Sequence, residues 1–308
     1  MRNRRSITSL FVAAILAAAA TSPSVHAQAA AAPAGDWITV ERALGRTGAV
    51  LPGGVIKFGF PRGDMRVKVG GLTVKPALAL GSWVAFKHSG TGTVAMGDLV
   101  LAEDETGPVM RALQAGGVEQ TALHNHLLNE SPRVMYMHIV ARGDATKIAT
   151  AIHDALALTK TPLRTAAAPA AAPASDLDTA AIATALGVAG KVNGGVYQVS
   201  VPRAEPVVAH GMEIPPSMGV ATGINFQPTG GGKAAISGDF VMTANEVNPV
   251  IRALTSHGIA VTALHSHMLD ESPCLFFMHF WANDDASALA RGLRAALDQM
   301  KVKRTAAR

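Results

Sequence analysis

The chain carries one pattern twice. Thr121–His138 reads TALHNHLLNESPRVMYMH and Thr262–His279 reads TALHSHMLDESPCLFFMH, identical at eleven of eighteen positions. His124 and His265 stand 141 residues apart. The same shift, read as ungapped from Gly53 onwards, pairs Gly53-Gly54 with Gly194-Gly195, Pro61-Arg62 with Pro202-Arg203 and Gly97-Asp98 with Gly238-Asp239. It also pairs PVMRAL from Pro108 with PVIRAL from Pro249. A repeat as long as a domain, rather than roughly 20–50 residues, means two copies of one domain and not a solenoid. The two halves are expected to share a fold, with His124 on His265 and Glu130 on Glu271.

The ends explain the charge. Residues 1–27 carry Arg2, Arg4 and Arg5, an apolar run from Leu10 to Ala20 and small residues around His26, the pattern of a secretory signal peptide. A periplasmic or secreted location is expected, without lipid attachment, because no Cys follows that run. No later stretch approaches the ~18 apolar residues of a transmembrane helix. The formal charge of +5 comes from Arg2, Arg4 and Arg5 and from the tail residues Lys301, Lys303, Arg304 and Arg308. A near-neutral body gives no electrostatic footprint for nucleic acid. Cys274 is the single cysteine and excludes an intramolecular disulfide.

Residues 161–175 are Ala/Pro-rich and lack apolar periodicity, as in a semi-extended linker. It divides a first copy over 36–160 from a second over 176–300. Each copy starts with a short helix (Trp37–Leu44; Thr179–Leu186) ended by Gly45 or Gly187. Strand-like segments follow in the first copy at Val55–Phe60, Met65–Val69, Ser82–Lys87 and Val94–Leu101. Next is a helix with Pro in its first turn, with Asn248 as N-cap and Pro249 at N1 in the second copy. A strand, tight loop, strand and amphipathic helix (Ala145–Leu158; Ala286–Met300) close each copy. The fold class is α+β: a tandem duplication, each copy a mixed or antiparallel sheet with a ferredoxin-like β-α-β-β-α C-terminal part.

His124 and His126 are two apart, so on a strand they share a face. Glu130 lies in the turn before Ser131-Pro132, and His138 lies on the returning strand. A hairpin with even register brings the three imidazoles and the carboxylate together. His265, His267, Glu271 and His279 repeat the set. One site per copy is expected, or one active and one residual. Imidazole with one carboxylate suits a divalent transition metal, Zn first, with Cu, Fe, Mn or Ni compatible. Glu130 and Glu271 are candidates either as fourth ligands or as catalytic general bases. The spacing His-x-His-x-x-x-Glu is similar to the first metal motif of cupins, on a different fold. The alternative is that His-x-His is a hydrogen-bonded pair and Glu-Ser-Pro a turn with its carboxylate capping amides.

Asp98 and Asp239 are candidates to orient ligand histidines or to cap a turn. Arg62 and Arg203 read as solvent-facing turn residues or anion contacts. Met137 and Met278 read as core, not copper ligands. Ser131 and Ser272 lack the setting of a nucleophile elbow. His88, His153, His210 and His257 have no His at the matching position of the other copy and read as ordinary histidines.

Through the Pro-Arg turn, ALGSWVAFKHSG, ALHNHLLNESPRVMYMH and ALHSHMLDESPCLFFMHFWA, the chain resembles the LppY/LpqO-type family of exported bacterial proteins. That resemblance implies export and a two-copy build and supplies no reaction. Three functions stay open: a metal-dependent hydrolase or lyase, a non-catalytic periplasmic Zn or Cu binding protein, and a small-ligand module without metal. The partner is a metal ion or an unknown small molecule, and oligomeric state is not legible.

Overall fold

The computed structural model describes residues 37–90, 92–164 and 176–303. The expected signal peptide over 1–27 and linker residues 165–175 lie outside the described residues.

In the first copy, α1 (Ile38–Leu44) precedes β1 (Ala49–Leu51), β2 (Val55–Pro61), β3 (Gly81–Ser89) and β4 (Gly92–Ala102). Then come α2 (Thr106–Ala115), β5 (Glu119–His124), β6 (Val134–Gly143) and α3 (Ala145–Leu156). The second copy repeats the series as α4 (Thr179–Leu186), β7 (Lys191–Asn193), β8 (Val196–Pro202), β9 (Ala221–Gly230) and β10 (Lys233–Met242). It ends with α5 (Ala244–Ser256), β11 (Ala260–His265), β12 (Phe276–Asp285) and α6 (Ala286–Leu297). Each copy forms a six-stranded antiparallel sheet, ordered β1-β2-β3-β4-β6-β5 and β7-β8-β9-β10-β12-β11. The protein is a duplicated α+β domain.

Alternation along the strands builds four layers. In β4, Ala95, Leu99 and Leu101 pack with the helices of their own copy, as do Met137, Ile139 and Ala141 of β6. The intervening residues turn the other way. Val94, Met96 and Val140 join a core with Val241, Leu275 and Phe277 of the second copy. Val100, Val134 and Tyr136 join another with Val196 and Ala235. Helices therefore cover the outer face of each sheet, and the inner faces pack on one another. Each buried aliphatic or aromatic side chain between the sheets contributes roughly 1.5–3 kcal/mol, so the copies form one compact unit.

Several details differ from expectation. Strands β3 and β9 correspond at a shift of 140, since Trp83 pairs with Asp98 where Gly223 pairs with Asp239. A register shift between Pro228 and Gly230 restores 141 in β10, so the repeat is not ungapped. Only Lys68–Val69 of the expected Met65–Val69 strand is extended. Helix α5 begins five residues before Pro249, which lies inside it, because Glu246 accepts from the Thr243 amide at 2.7 Å and starts the helix there. Arg62 and Arg203 are buried, 1% and 3% exposed, and neither faces solvent. Arg62 donates to Glu105 at 2.7 Å and to the Val100 carbonyl at 2.7 Å, and Glu105 accepts from the amides of Ala102 and Lys160. Arg203, Glu246, Val241, Thr243 and Lys301 repeat that network. A lone buried guanidinium would cost several kcal/mol, which is why each comes with its carboxylate.

Candidate metal centre

The inner-face pattern leaves one gap in the apolar packing, and the histidines fill it. Between Met96 and Val100 on β4 stands Asp98, and between Tyr136 and Val140 on β6 stands His138, directly across from it. Asp239 and His279 face each other in the same way. Gly97 and Gly238 precede the aspartates because the backbone opposite is too close for a Cβ. One on Gly97 would lie 2.8 Å from the Trp83 carbonyl, and one on Gly238 would collide with that of Gly223.

Strand β5 reaches this face through a register shift between Gln120 and Ala122, mirrored between Val261 and Ala263 in β11. The extra residue puts Ala122 opposite His138 and His124 opposite Tyr136, so His124 and His138 share the inner face. His126, just past the strand end, stacks on Tyr136 at 3.3 Å between ring centroids, and His267 stacks on Phe277 at 3.7 Å. Tyr136 is fixed in turn by donating to the Ala79 carbonyl at 2.8 Å.

The two triplets lie against one another. The ring centroids of His124 and His265 are 3.7 Å apart, those of His126 and His279 3.7 Å, and those of His138 and His267 3.6 Å. Six imidazoles thus form one cluster between the copies. Within it the ligand nitrogens of His124, His265, His267 and His279 lie within 4.8 Å of one another, as do those of His124, His126 and His138. His124 belongs to both groups. The copies are bound around the cluster by Thr262, whose hydroxyl donates to the His126 carbonyl, and by Asn125, whose amide donates to the Thr262 carbonyl.

The protonation chemistry favours ligation. Nδ1 of His279 donates to the Gly238 carbonyl at 3.0 Å and Nδ1 of His124 to the Asn125 carbonyl at 3.2 Å, leaving each Nε2 lone pair free. Nε2 of His124, His126, His138 and His279 is buried without a hydrogen-bond partner, as are one oxygen of Asp98 and one of Asp239. His265 and His267 bring their Nε2 atoms to 2.9 Å. Burial lowers the basicity of every ring: His124 to about 3 and His265 to about 4, with His126, His138, His267 and His279 well below the usual range. Burial raises Asp98 to about 7, partly opposed by Lys57, and pushes Asp239 well up, with Asp98 adding to the effect. Asp98 approaches Nε2 of His138 at 3.8 Å and of His126 at 4.0 Å, and Asp239 approaches Nδ1 of His267 at 3.7 Å and of His279 at 3.9 Å.

Glu130 and Glu271 belong to neither nitrogen group. Glu271 accepts from the Leu275 amide at 2.7 Å and Glu130 from the Val134 amide at 3.4 Å, closing the loop of each hairpin. Both loops contain a cis Ser–Pro bond, at Pro132 and Pro273. Met137 and Met278 lie in the helix-side cores. His88 stacks on Trp37, His153 approaches Asp154, His210 approaches Asp270 and His257 bonds the Ala253 carbonyl, all outside the cluster. Lys57 escaped the sequence reading. Its Nζ donates to the Ser217 carbonyl at 2.9 Å and lies over Trp83, and burial lowers it to about 8. A lone Lys inside the apolar run VIKFGF was the signal for it.

Among solved structures the chain is similar to a trimeric bacterial microcompartment shell protein, PduB, at 14% identity and TM-score 0.20, covering 82% of this chain and 93% of that one. It is also similar to EtuB from Clostridium kluyveri, at 12% identity and TM-score 0.19, covering 82% and 90%. Superpositions that poor carry no argument about fold. No curated protein matches. The model of the family described as Domain of Unknown Function (DUF1259) matches residues 38–158 and again 180–299, each match containing one histidine triplet. This chain belongs to that family and contains its domain twice.

Proposed function

We propose that the chain is an exported transition-metal-binding protein, holding a divalent ion, Zn first, in a single centre built jointly by both copies. The observation that carries this is the set of buried, unpartnered Nε2 atoms in one cluster. An unmet buried polar group costs about 1–3 kcal/mol, and a cation held by the first nitrogen group would relieve those of His124 and His279 together. His124, His265, His267 and His279 would supply four nitrogens, a full set of protein ligands as in binding rather than catalytic centres. Asp98 and Asp239 would offset the cation's charge and orient the rings. The leader-like residues 1–27 and the resemblance to the LppY/LpqO-type family support export. The ferredoxin-like reading of each C-terminal part rests on β6 lying between β4 and β5, and β12 between β10 and β11.

A catalytic reading draws on His124, His126 and His138, three ligands that leave a coordination position open. The cavity bordered by His138 and His267 measures about 10 Å³, room for roughly one water, so a hydrolase or lyase here would be confined to a very small reactant. A module for a small organic ligand needs roughly 300–1,000 Å³ and fits less well. Elemental analysis of protein from its native compartment, with thermal melts with and without chelator, tests the proposal. Metal at a fixed ratio to protein and a melt lowered by chelator are expected. Metal-free protein with a chelator-insensitive melt would overturn it.

A further inference from the structure

The cluster is nearly two-fold symmetric, but its flanks are not. On one flank the cavity beside His138 and His267 is lined by Met96, Met218 and Met268, all buried. The matching positions on the other flank are Ser237, Leu78 and Leu127. Three methionines, from β4, the short turn Pro216–Met218 and the loop after β11, therefore line this cavity, and the matching positions of the other flank hold none. Leu stands at two of the three counterparts, so the thioethers are particular to this flank. Trp83 borders the same cavity, and Gly219 admits its indole, since a Cβ there would lie 2.9 Å from the ring. Gly223 stands at the place of Trp83 in the second copy.

Thioether sulphur is a soft, polarisable ligand that selects monovalent copper over hard or borderline ions. His138 supplies a second feature: it lines this cavity, and its Nε2 is buried without a hydrogen-bond partner. The space of about 10 Å³ admits a bare ion and little else. We infer that Met96, Met218 and Met268, with His138, form a cuprous-ion site on the flank of the histidine centre. It rests on the proposed metal-binding function, because His138 and His267 border both the cavity and the cluster. The site gives the chain a soft-metal position that the Ser/Leu flank does not provide.

The test uses the full chain. Cuprous ion is titrated anaerobically against a competing chromophoric chelator, Zn²⁺ is titrated in parallel, and the copper-loaded protein is measured by X-ray absorption. The proposal predicts a copper–sulphur shell in wild type, and a loss of cuprous affinity of about tenfold or more in Met96→Leu/Met218→Leu/Met268→Leu with Zn²⁺ affinity unchanged. Met268→Leu alone, which introduces the residue found at 127, gives a smaller loss in the same direction if the triple variant does not fold. Nitrogen-only ligation of copper in wild type, or unchanged cuprous affinity in a folded variant, overturns the inference while leaving the Zn²⁺ result standing. Absence of both Zn²⁺ and copper binding in wild type would sink the proposed function, and the copper site with it.

Discussion

At the scale of residues, burial controls the chemistry, and it acts with opposite sign on the two residue types of the cluster. Without metal, His124 at about 3 and His265 at about 4 stay neutral where the unfolded chain, near 6.5, takes up protons. Their stabilisation is complete above about pH 6.5 and is lost as pH falls. Asp98, raised to about 7, works the other way, its stabilisation being present at low pH and lost as pH rises through 7. Six lowered imidazoles outweigh two raised carboxyls, so the urea midpoint of chelator-treated protein should fall steadily from pH 7 to pH 4.5. A midpoint that rises on acidification would contradict this assignment. Arg62 is a separate matter. Arg62→Ala leaves Glu105 buried and unpaired, and should cost about 3–5 kcal/mol in urea denaturation with metal content per folded chain unchanged. A cost under about 1 kcal/mol would place the ion pair among the weak surface pairs. Both copies repeat the histidines, which meet in one cluster, and the glutamates, which accept loop amides. Repetition marks a residue as needed without saying whether for chemistry or for a turn.

At the scale of elements, most of the fold could be read from local signals. Asp144 and Asp285 sit one residue before α3 and α6 and accept from the amides of Lys147 and Ala288. Asp144→Ala or Asp285→Ala should each cost about 1 kcal/mol in a urea melt, and no measurable change would show that the caps are redundant. Gly45 and Gly187 end their helices in left-handed conformation, as the sequence implied. What was not legible depends on pairing. The bulge at Thr121, which sets the face of His124, has no turn residue to announce it. The start of α5 was obscured because Pro249 was read as a first-turn residue, although Thr243-x-x-Glu246 is itself a start signal. The buried Arg62 followed a strand-ending Pro like any surface turn residue, and only contact with Glu105, far along the chain, explains it.

At the scale of the whole molecule, the duplication is what brings the six histidines together. One copy offers three imidazoles and the Asp98 carboxyl on a largely apolar sheet face, and the second copy covers that face with its own. The sequence showed two sites because it shows two motifs; that they meet is a property of packing between sheets. Residues 36–160 expressed alone should self-associate through the exposed inner face, giving a dimer or larger species by light scattering, and a stable monomer would contradict the shared-core account. The most direct test of the shared centre is metal content after His124→Ala, in protein shown to be folded by circular dichroism. The substitution leaves His265, His267 and His279 of the second copy intact, but removes the one residue common to both nitrogen groups. A single joint centre predicts that the variant loses essentially all tightly bound metal, whereas retention of about half, as two independent sites would give, contradicts it.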